Sequence, residues 1–341
     1  MSIPSLSTQI QLVNRPVGWP EQTDFRTVSV ELPPLTDGQI RVANEFLSVD
    51  PYMRGRMNDV KSYAPPYGLG ETMTGGAVGR VVASASDAVK VGDVVVHQYG
   101  WRDLVQEEAG GFRVVQEIPG LALSAYLGVL GLTGFTAYVG LREIAKLKAG
   151  DTVFVSGAAG AVGTMVGQIA RLSGAKHVVG SAGSAEKVAL LTSKYGYDAA
   201  FNYNDGPVQA QLDAAAPNGI DVYFDNVGGE HLEAALGSFR DGGRGALCGS
   251  ISEYNSTAPA VGPRNMVNMV TRGLTLTGFT VGNYSAHFPA FAADMAGWLS
   301  AGDVVFDETV VDGIENSVDA FLAQMRGANT GKMVVRMASA S

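Results

Sequence analysis

The residues with the clearest chemical meaning are three glycines. Thr152-Val-Phe-Val-Ser runs directly into Gly157, Gly160 and Gly163, after which Val162, Val166, Ile169 and Ala170 recur at helical spacing. A buried strand, a tight turn and an amphipathic helix in that order allow a pyrophosphate to approach the amides of a helix N-terminus. The spacing is GxxGxxG rather than GxGxxG, and a packing turn in any α/β protein could use the same residues. A further strand at His177-Val-Val-Gly, at βαβ distance, favours a dinucleotide. An NAD site would then place Asp or Glu about 20 residues past the glycines, on the ribose 2′-hydroxyl. Val179-Gly-Ser-Ala-Gly-Ser184 carries no acid at the strand end, and Glu186-Lys187 follow. Hydroxyls, amides and an ammonium suit a 2′-phosphate, so the expected cofactor is NADPH. Lys187 taken alone would read equally well as a solvated lysine at a helix start.

Other chemistries find little support. Cys248 is the only cysteine, and the four histidines (His97, His177, His231 and His287) lie far apart, with no CxxC or HExxH spacing for a metal. One cysteine makes no intrachain disulfide and fits a reducing compartment, the cytoplasm. Cys248 is expected to be a small buried thiol at a strand end, and His97 a structural strand-end histidine. No Gly-x-Ser-x-Gly elbow offers a nucleophile. The chain carries 24 Lys plus Arg against 33 Asp plus Glu, a net −9, which argues against nucleic acid as a partner. Apolar residues make up 46% and charged residues 17%, enough for a core and too apolar for disorder. The charge-free run from Thr152 to Ala170 is broken by the three glycines, so it reads as strand, turn and buried helix, and no membrane partner is expected.

At 341 residues the chain is long enough for two domains of roughly 100–200 residues each. The first 120 residues hold short valine runs broken by Gly, Pro and Asp, a β-rich texture. Within it, Asp50-Pro-Tyr-Met-Arg and Ser62-Tyr-Ala-Pro-Pro-Tyr-Gly read as loops. From Leu123 the texture changes to a helix through Thr136–Ile144 and then alternating elements. Strands are expected at Thr152–Ser156, His177–Gly180, Ala199–Tyr203, Ile220–Phe224, Arg244–Cys248 and Leu274–Phe279, with helices at Ala185–Lys194 and Glu230–Phe239. Such alternation implies a doubly wound parallel sheet covered on both faces. Val304–Met337 is β-rich again, with one helix near Val318–Met325, and is expected to complete the first domain. The boundaries are therefore 1–124 with 300–341 for one domain and 125–299 for the other.

Several stretches together resemble the zinc-independent medium-chain dehydrogenase/reductases. They are Asp50-Pro-Tyr-Met-Arg-Gly-Arg-Met, Gly134-Phe-Thr-Ala-Tyr, Gly157-Ala-Ala-Gly-Ala-Val-Gly, Ala182-Gly-Ser-Ala-Glu-Lys, Asp225-Asn-Val-Gly-Gly-Glu, Cys248-Gly-Ser-Ile-Ser-Glu-Tyr-Asn and Gly331-Lys-Met-Val-Val. The likeness is to the branch of leukotriene B4 dehydrogenase, prostaglandin reductase and double-bond reductase, and most of all to bacterial NADPH-dependent curcumin reductase. It departs at Gly157, where the family's AxxGxxG has alanine, and at Thr133, where relatives usually have proline.

The resemblance implies a GroES-like β-rich catalytic domain beside the Rossmann-type domain, a homodimer, and reduction of the C=C bond of enones or enals. It implies that Gly183, Lys187 and Tyr203 hold the 2′-phosphate and that Gly160, Ala161 and Val162 face the pyrophosphate. Asn226, Phe279, Val281 and Asn329 would contact the rest of NADPH. Tyr254 would stand near the substrate carbonyl, with Tyr52 lining the same pocket. A phenol is a suitable donor to an oxygen that gains charge, being protonated near neutral pH. Tyr254 could otherwise be a pocket-wall aromatic, and the α-proton could come from Tyr254 or from solvent. Arg54 and Arg56 are expected on a solvated or interface face. Two other readings stay open: a quinone reductase of the same fold, and a non-catalytic NADPH-binding protein.

Overall fold

The computed structural model describes residues 4–337. The chain divides into two compact units, one formed by residues up to 127, 308–329 and from 333 on, the other by 128–307 with 330–332.

The first unit opens with β1 (Leu6–Leu12) paired antiparallel to β2 (Phe25–Glu31). There follow β3 (Gln39–Ser48), α1 (Tyr52–Arg56), β4 (Ala77–Ser84), β5 (Val94–His97), β6 (Leu104–Glu108) and β7 (Arg113–Val115). The valine runs alternate as a half-buried sheet requires: Ile40, Val42, Val81, Val95, Val105 and Phe112 form one buried cluster. Two expectations fail here. Asp50-Pro-Tyr-Met-Arg is not a loop, because Pro51 (φ −59°) stands just ahead of the first turn of α1, where no amide is needed. Nor is Arg54 solvated. It is 3% exposed, and its guanidinium donates to the carbonyls of Pro16 and Gly18 and to Asn58 Oδ1. Arg56 lies 4.1 Å over the Tyr67 ring.

The second unit begins with α2 (Leu132–Val139), which continues through a π-type turn over Gly140–Ile144. Then come β8 (Thr152–Val155), α3 (Ala161–Leu172), β9 (His177–Ala182), α4 (Ala185–Lys194), β10 (Ala199–Asn202), α5 (Val208–Ala215), β11 (Ile220–Asp225), α6 (Gly229–Ser238), β12 (Phe239–Leu247), α7 (Val267–Thr271), β13 (Thr275–Gly278) and α8 (Phe288–Ala301). The six strands are parallel in the order β10-β9-β8-β11-β12-β13. Numbered from β8 this is 3-2-1-4-5-6, the doubly wound Rossmann order. Central β8 is buried along its whole length, as covering on both faces demands. Phe154 stacks on Tyr223 (5.2 Å, 15°) at the heart of a cluster with Val179, Leu236 and Phe239. The sequence reading passed over α5, α7 and α8. In α8, apolar residues surround the helix and blur its period, although only Phe291 and Met295 are buried.

The chain then returns to the first unit with β14 (Glu308–Asp312), α9 (Ser317–Met325) and β15 (Lys332–Arg336). The completed sheet runs β14-β15-β3-β4-β5-β7, with β6 also on β3. Among the described residues no helix is long and apolar enough to cross a membrane, and no group of three or more His, Cys, Asp or Glu could hold a metal ion.

Candidate active site

In the second unit every residue singled out from the sequence follows the carboxyl end of a parallel strand. Gly160, Ala161 and Val162 come after β8, Gly183 and Lys187 after β9, Tyr203 after β10, Asn226 after β11, Tyr254 after β12, and Phe279 and Val281 after β13. Ligands of open α/β sheets bind at this edge, where strand order reverses. Here the reversal lies between β8 and β11.

The turn after β8 is set by Gly157, at φ +60°, and by Gly163, where a Cβ would fall 2.5 Å from the Gly157 carbonyl oxygen. Gly160 caps α3 in an extended conformation without a side-chain hydrogen bond, its own amide donating to the Gly157 carbonyl at 3.2 Å, and the start of α3 is the positive end of the helix dipole, which favours an anion. After β9, Ser184 caps α4, its hydroxyl oxygen accepting the Lys187 amide at 3.3 Å. The Lys187 side chain is half-buried, and burial lowers its pKa below the ordinary lysine value. A partly desolvated ammonium favours a neighbouring anion. The Tyr203 hydroxyl stands against Gly183, 2.6 Å from where a Cβ would be, and Asn204 Nδ2 donates to the Gly183 carbonyl at 3.0 Å. No acid stands at the end of β9 itself to meet a free ribose 2′-hydroxyl; the first one after it is Glu186, in the first turn of α4. The residues present therefore fit a dinucleotide with a 2′-phosphate.

Across the reversal point, the Asn226 amide donates to Ser156 Oγ (3.0 Å) and its side-chain Nδ2 to the Ser156 carbonyl (2.8 Å). Beneath lies a cluster that sequence reasoning missed. Asp225, 2% exposed, accepts on Oδ1 from Tyr223 OH (2.7 Å), Ser156 OH (3.1 Å), and the amides of Val227 (3.0 Å) and Gly228 (2.7 Å). Burial raises its pKa, and those donors oppose the rise. Its signal was an acid ending an apolar strand, Ile-Asp-Val-Tyr-Phe-Asp, directly before Asn226.

The same turn anchors the segment bearing Tyr254. Cys248 and Gly249 amides donate to the Asp225 carbonyl, Ile251 to that of Asn226, and Ser252 to that of Val227 through both amide (3.2 Å) and hydroxyl (2.6 Å). Tyr254 is half-buried, and its oxygen accepts the Ser250 amide at 3.5 Å. Burial first, then Cys248 and Asp225, raise its pKa, so the phenol keeps its proton at neutral pH. Phe279 meets Phe224 and Tyr284 edge-on (6.4 Å each), and Val281 opens the turn into α8.

Tyr52 and Asn329 belong to the first unit. Tyr52 opens α1, and burial, followed by Asp50, raises its pKa. Asn329, 9% exposed, precedes β15. His97 is buried, with Nε2 2.9 Å from Asn44 Oδ1 and Nδ1 accepting the Tyr99 amide. Burial pushes its pKa down to about 3, leaving it neutral. Cys248 follows β12 half-buried, its thiol pushed up to about 12 by burial.

Comparison with known proteins identifies the family. A family model described as the N-terminal domain of oxidoreductase matches residues 8–115, and one described as zinc-binding dehydrogenase matches 161–297. The chain is 42% identical to pig (Sus scrofa) prostaglandin reductase 1, over 94% of this chain and 96% of that protein. It is 39% identical to 2-alkenal reductase (NADP(+)-dependent) of Nicotiana tabacum, over 96% of each. Crystalline CurA from Vibrio vulnificus in complex with NADPH superposes with TM-score 0.92 at 40% identity, covering 97% of this chain and 99% of that one. The chain belongs to the medium-chain dehydrogenase/reductase family, in the branch of the prostaglandin, 2-alkenal and curcumin reductases.

Proposed function

We propose that this protein is an NADPH-dependent reductase of the C=C bond in α,β-unsaturated ketones and aldehydes. The observation that carries the reading is the row of strand ends in 3-2-1-4-5-6 order, with Gly183, Lys187 and Tyr203, and no acid at the end of β9, where a 2′-phosphate would lie. The names of its relatives, a 2-alkenal reductase among them, point to the substrate class.

Bound NADPH would supply hydride to the β-carbon of the substrate, leaving negative charge on the carbonyl oxygen. The chain's own part is to bind, orient and stabilise. The start of α3 (Gly160, Ala161, Val162) faces the pyrophosphate, and Lys187 with Tyr203 and Gly183 receives the 2′-phosphate. Asn226, Phe279 and Val281 are assigned to the nicotinamide half, and Asn329 to the cofactor. Tyr254, protonated at neutral pH, donates to the carbonyl oxygen as charge develops there, the kind of interaction that lowers a barrier most. Tyr52, also held protonated, lines the substrate side. The β-rich unit is then the catalytic domain and the parallel-sheet unit the cofactor domain.

Two further assignments go with this reading. Edge strand β13 and the exposed Val261 (79%), Val267 (65%) and Val270 (83%) beside it in sequence support a homodimer, which light scattering would test. A single cysteine supports residence in the reducing cytoplasm, which cell fractionation would test.

The decisive experiment follows NADPH and NADH oxidation against an enone, a quinone and a saturated aldehyde, each with a chelator control. Enone turnover with NADPH, insensitive to chelator, is expected. Turnover of the quinone alone would replace the reading with quinone reduction, and tight NADPH binding without turnover would make the protein a binder. Tyr254→Phe should lose enone reduction and keep NADPH affinity; unchanged turnover would return Tyr254 to the pocket wall.

A further inference from the structure

We infer that His231 sets cofactor preference by holding the Tyr203 ring against Gly183, as a positioning residue for the 2′-phosphate; the inference rests on the NADPH reading above. His231 stands in the first turn of α6 and is 5% exposed. Its ring meets Tyr203 edge to face, at 5.3 Å and 81°, and lies nearly parallel to Phe154 at 6.4 Å. Behind it, Phe154 is stacked on Tyr223 and Phe201 in the core. The imidazole thus links an immobile aromatic column to a tyrosine that is 39% exposed.

Its mode of action follows from its chemistry. Nε2 is buried without a hydrogen-bond partner, so the ring is not in place to serve a bond from that atom. Burial keeps it neutral, with a pKa near 4, so it is no cation for a phosphate. What remains is shape. Tyr203 is fixed at its backbone by the hydrogen bond its amide donates to the Ala182 carbonyl (3.1 Å), and its hydroxyl must hold the narrow space left by Gly183. A surface tyrosine would otherwise sample several rotamers and lose that freedom on binding. The His231 ring is a wall that selects one orientation beforehand.

The test compares His231→Ala, His231→Phe and Lys187→Ala by KM for NADPH and for NADH, with kcat at saturating cofactor. His231→Ala should raise KM for NADPH about three- to tenfold, on the order of one lost aromatic pair, while kcat and KM for NADH hold. His231→Phe, which keeps the wall, should stay within about twofold of the parent in all three. Equal changes for both cofactors, an unchanged KM for NADPH, or a Phe variant as impaired as Ala would overturn the inference. Should the Ala variant not fold, His231→Leu, which fills space without a ring, takes its place with the same expectation. Lys187→Ala separates the two levels. If it leaves the preference for NADPH intact, the phosphate site itself is wrongly placed and His231 falls with it. If it abolishes the preference while His231→Ala does not, only the inference about His231 fails.

Discussion

The phenol oxygen of Tyr203 occupies the place where a side chain on residue 183 would begin, 2.6 Å from an ideal Cβ on Gly183. Real side chains do not approach so closely. The ends of β9 and β10 are therefore fitted to each other by the absence of one carbon, and this is where the 2′-phosphate is assigned.

Gly183→Ala should displace the far end of Tyr203 and leave the fold intact, because a phenol tip can swing where a backbone cannot. We expect NADPH affinity to fall about tenfold, the scale of one weak hydrogen bond to a charged group, with NADH affinity unchanged. Fluorescence titration with both cofactors measures it, and equal losses would place the phosphate elsewhere.

Lys187 gives a pH dependence. Burial lowers its pKa below the ordinary value of 10.5, so the ammonium is lost at a lower pH than in a free lysine. KM for NADPH should rise as pH climbs through that lowered value, while KM for NADH stays flat. In Lys187→Met the NADPH curve should be uniformly high and lose this step. A step that survives the substitution belongs to another group.

Asp225 is the acceptor for two hydroxyls and two amides in a buried turn. Asp225→Ala strands the Val227 and Gly228 amides and leaves the two hydroxyls only each other and the Phe224 carbonyl, and should cost about 3 kcal/mol or more. Asp225→Asn keeps one oxygen and should cost less. Because the turn also carries the Tyr254 segment, kcat should fall in the same order. Thermal scans beside kinetics decide the matter: Ala and Asn variants of parental stability would remove Asp225 from this role.

How much of this could be seen in the sequence depends on distance along the chain. The glycine turn and the alternation that follows are local signals, a few residues long, and the fold class came from them directly. Asp225 was written beside Asn226, but the Ser156 that gives it meaning lies 69 residues away. Arg54 was misjudged for the same reason, since it is buried by carbonyls 36 and 38 residues upstream. At α1 the error was one of rule, proline taken as a break where it precedes a first turn. His231 gave no signal, because an edge-on contact leaves no pattern in a linear string.

His97 and His231 predict acid sensitivity. Both are buried and neutral, with pKa values pushed down to about 3 and about 4 from 6.5. Below pH 6.5 the unfolded chain takes up their protons and the folded chain does not, so stability falls with pH until each folded-state value is passed. Each contributes a slope of about 1.4 kcal/mol per pH unit in that window. Thermal unfolding between pH 7 and 4 should show the decline, and His231→Phe should make it shallower. Equal slopes in both proteins would count against a buried neutral His231.

The order of synthesis meets a constraint in residues 330–332, which belong to the second unit although their neighbours on both sides belong to the first. The Gly331 amide donates to the Ala159 carbonyl, inside the glycine turn that begins 174 residues earlier at Gly157. Likewise β15 sits between β14 and β3, so the first unit's sheet stays open until the same stretch is made. A chain arrested on the ribosome before residue 330 would leave both units unfinished. The glycine turn gains this hydrogen bond and the β-rich sheet its β15 strand only once residues 330–336 have been made.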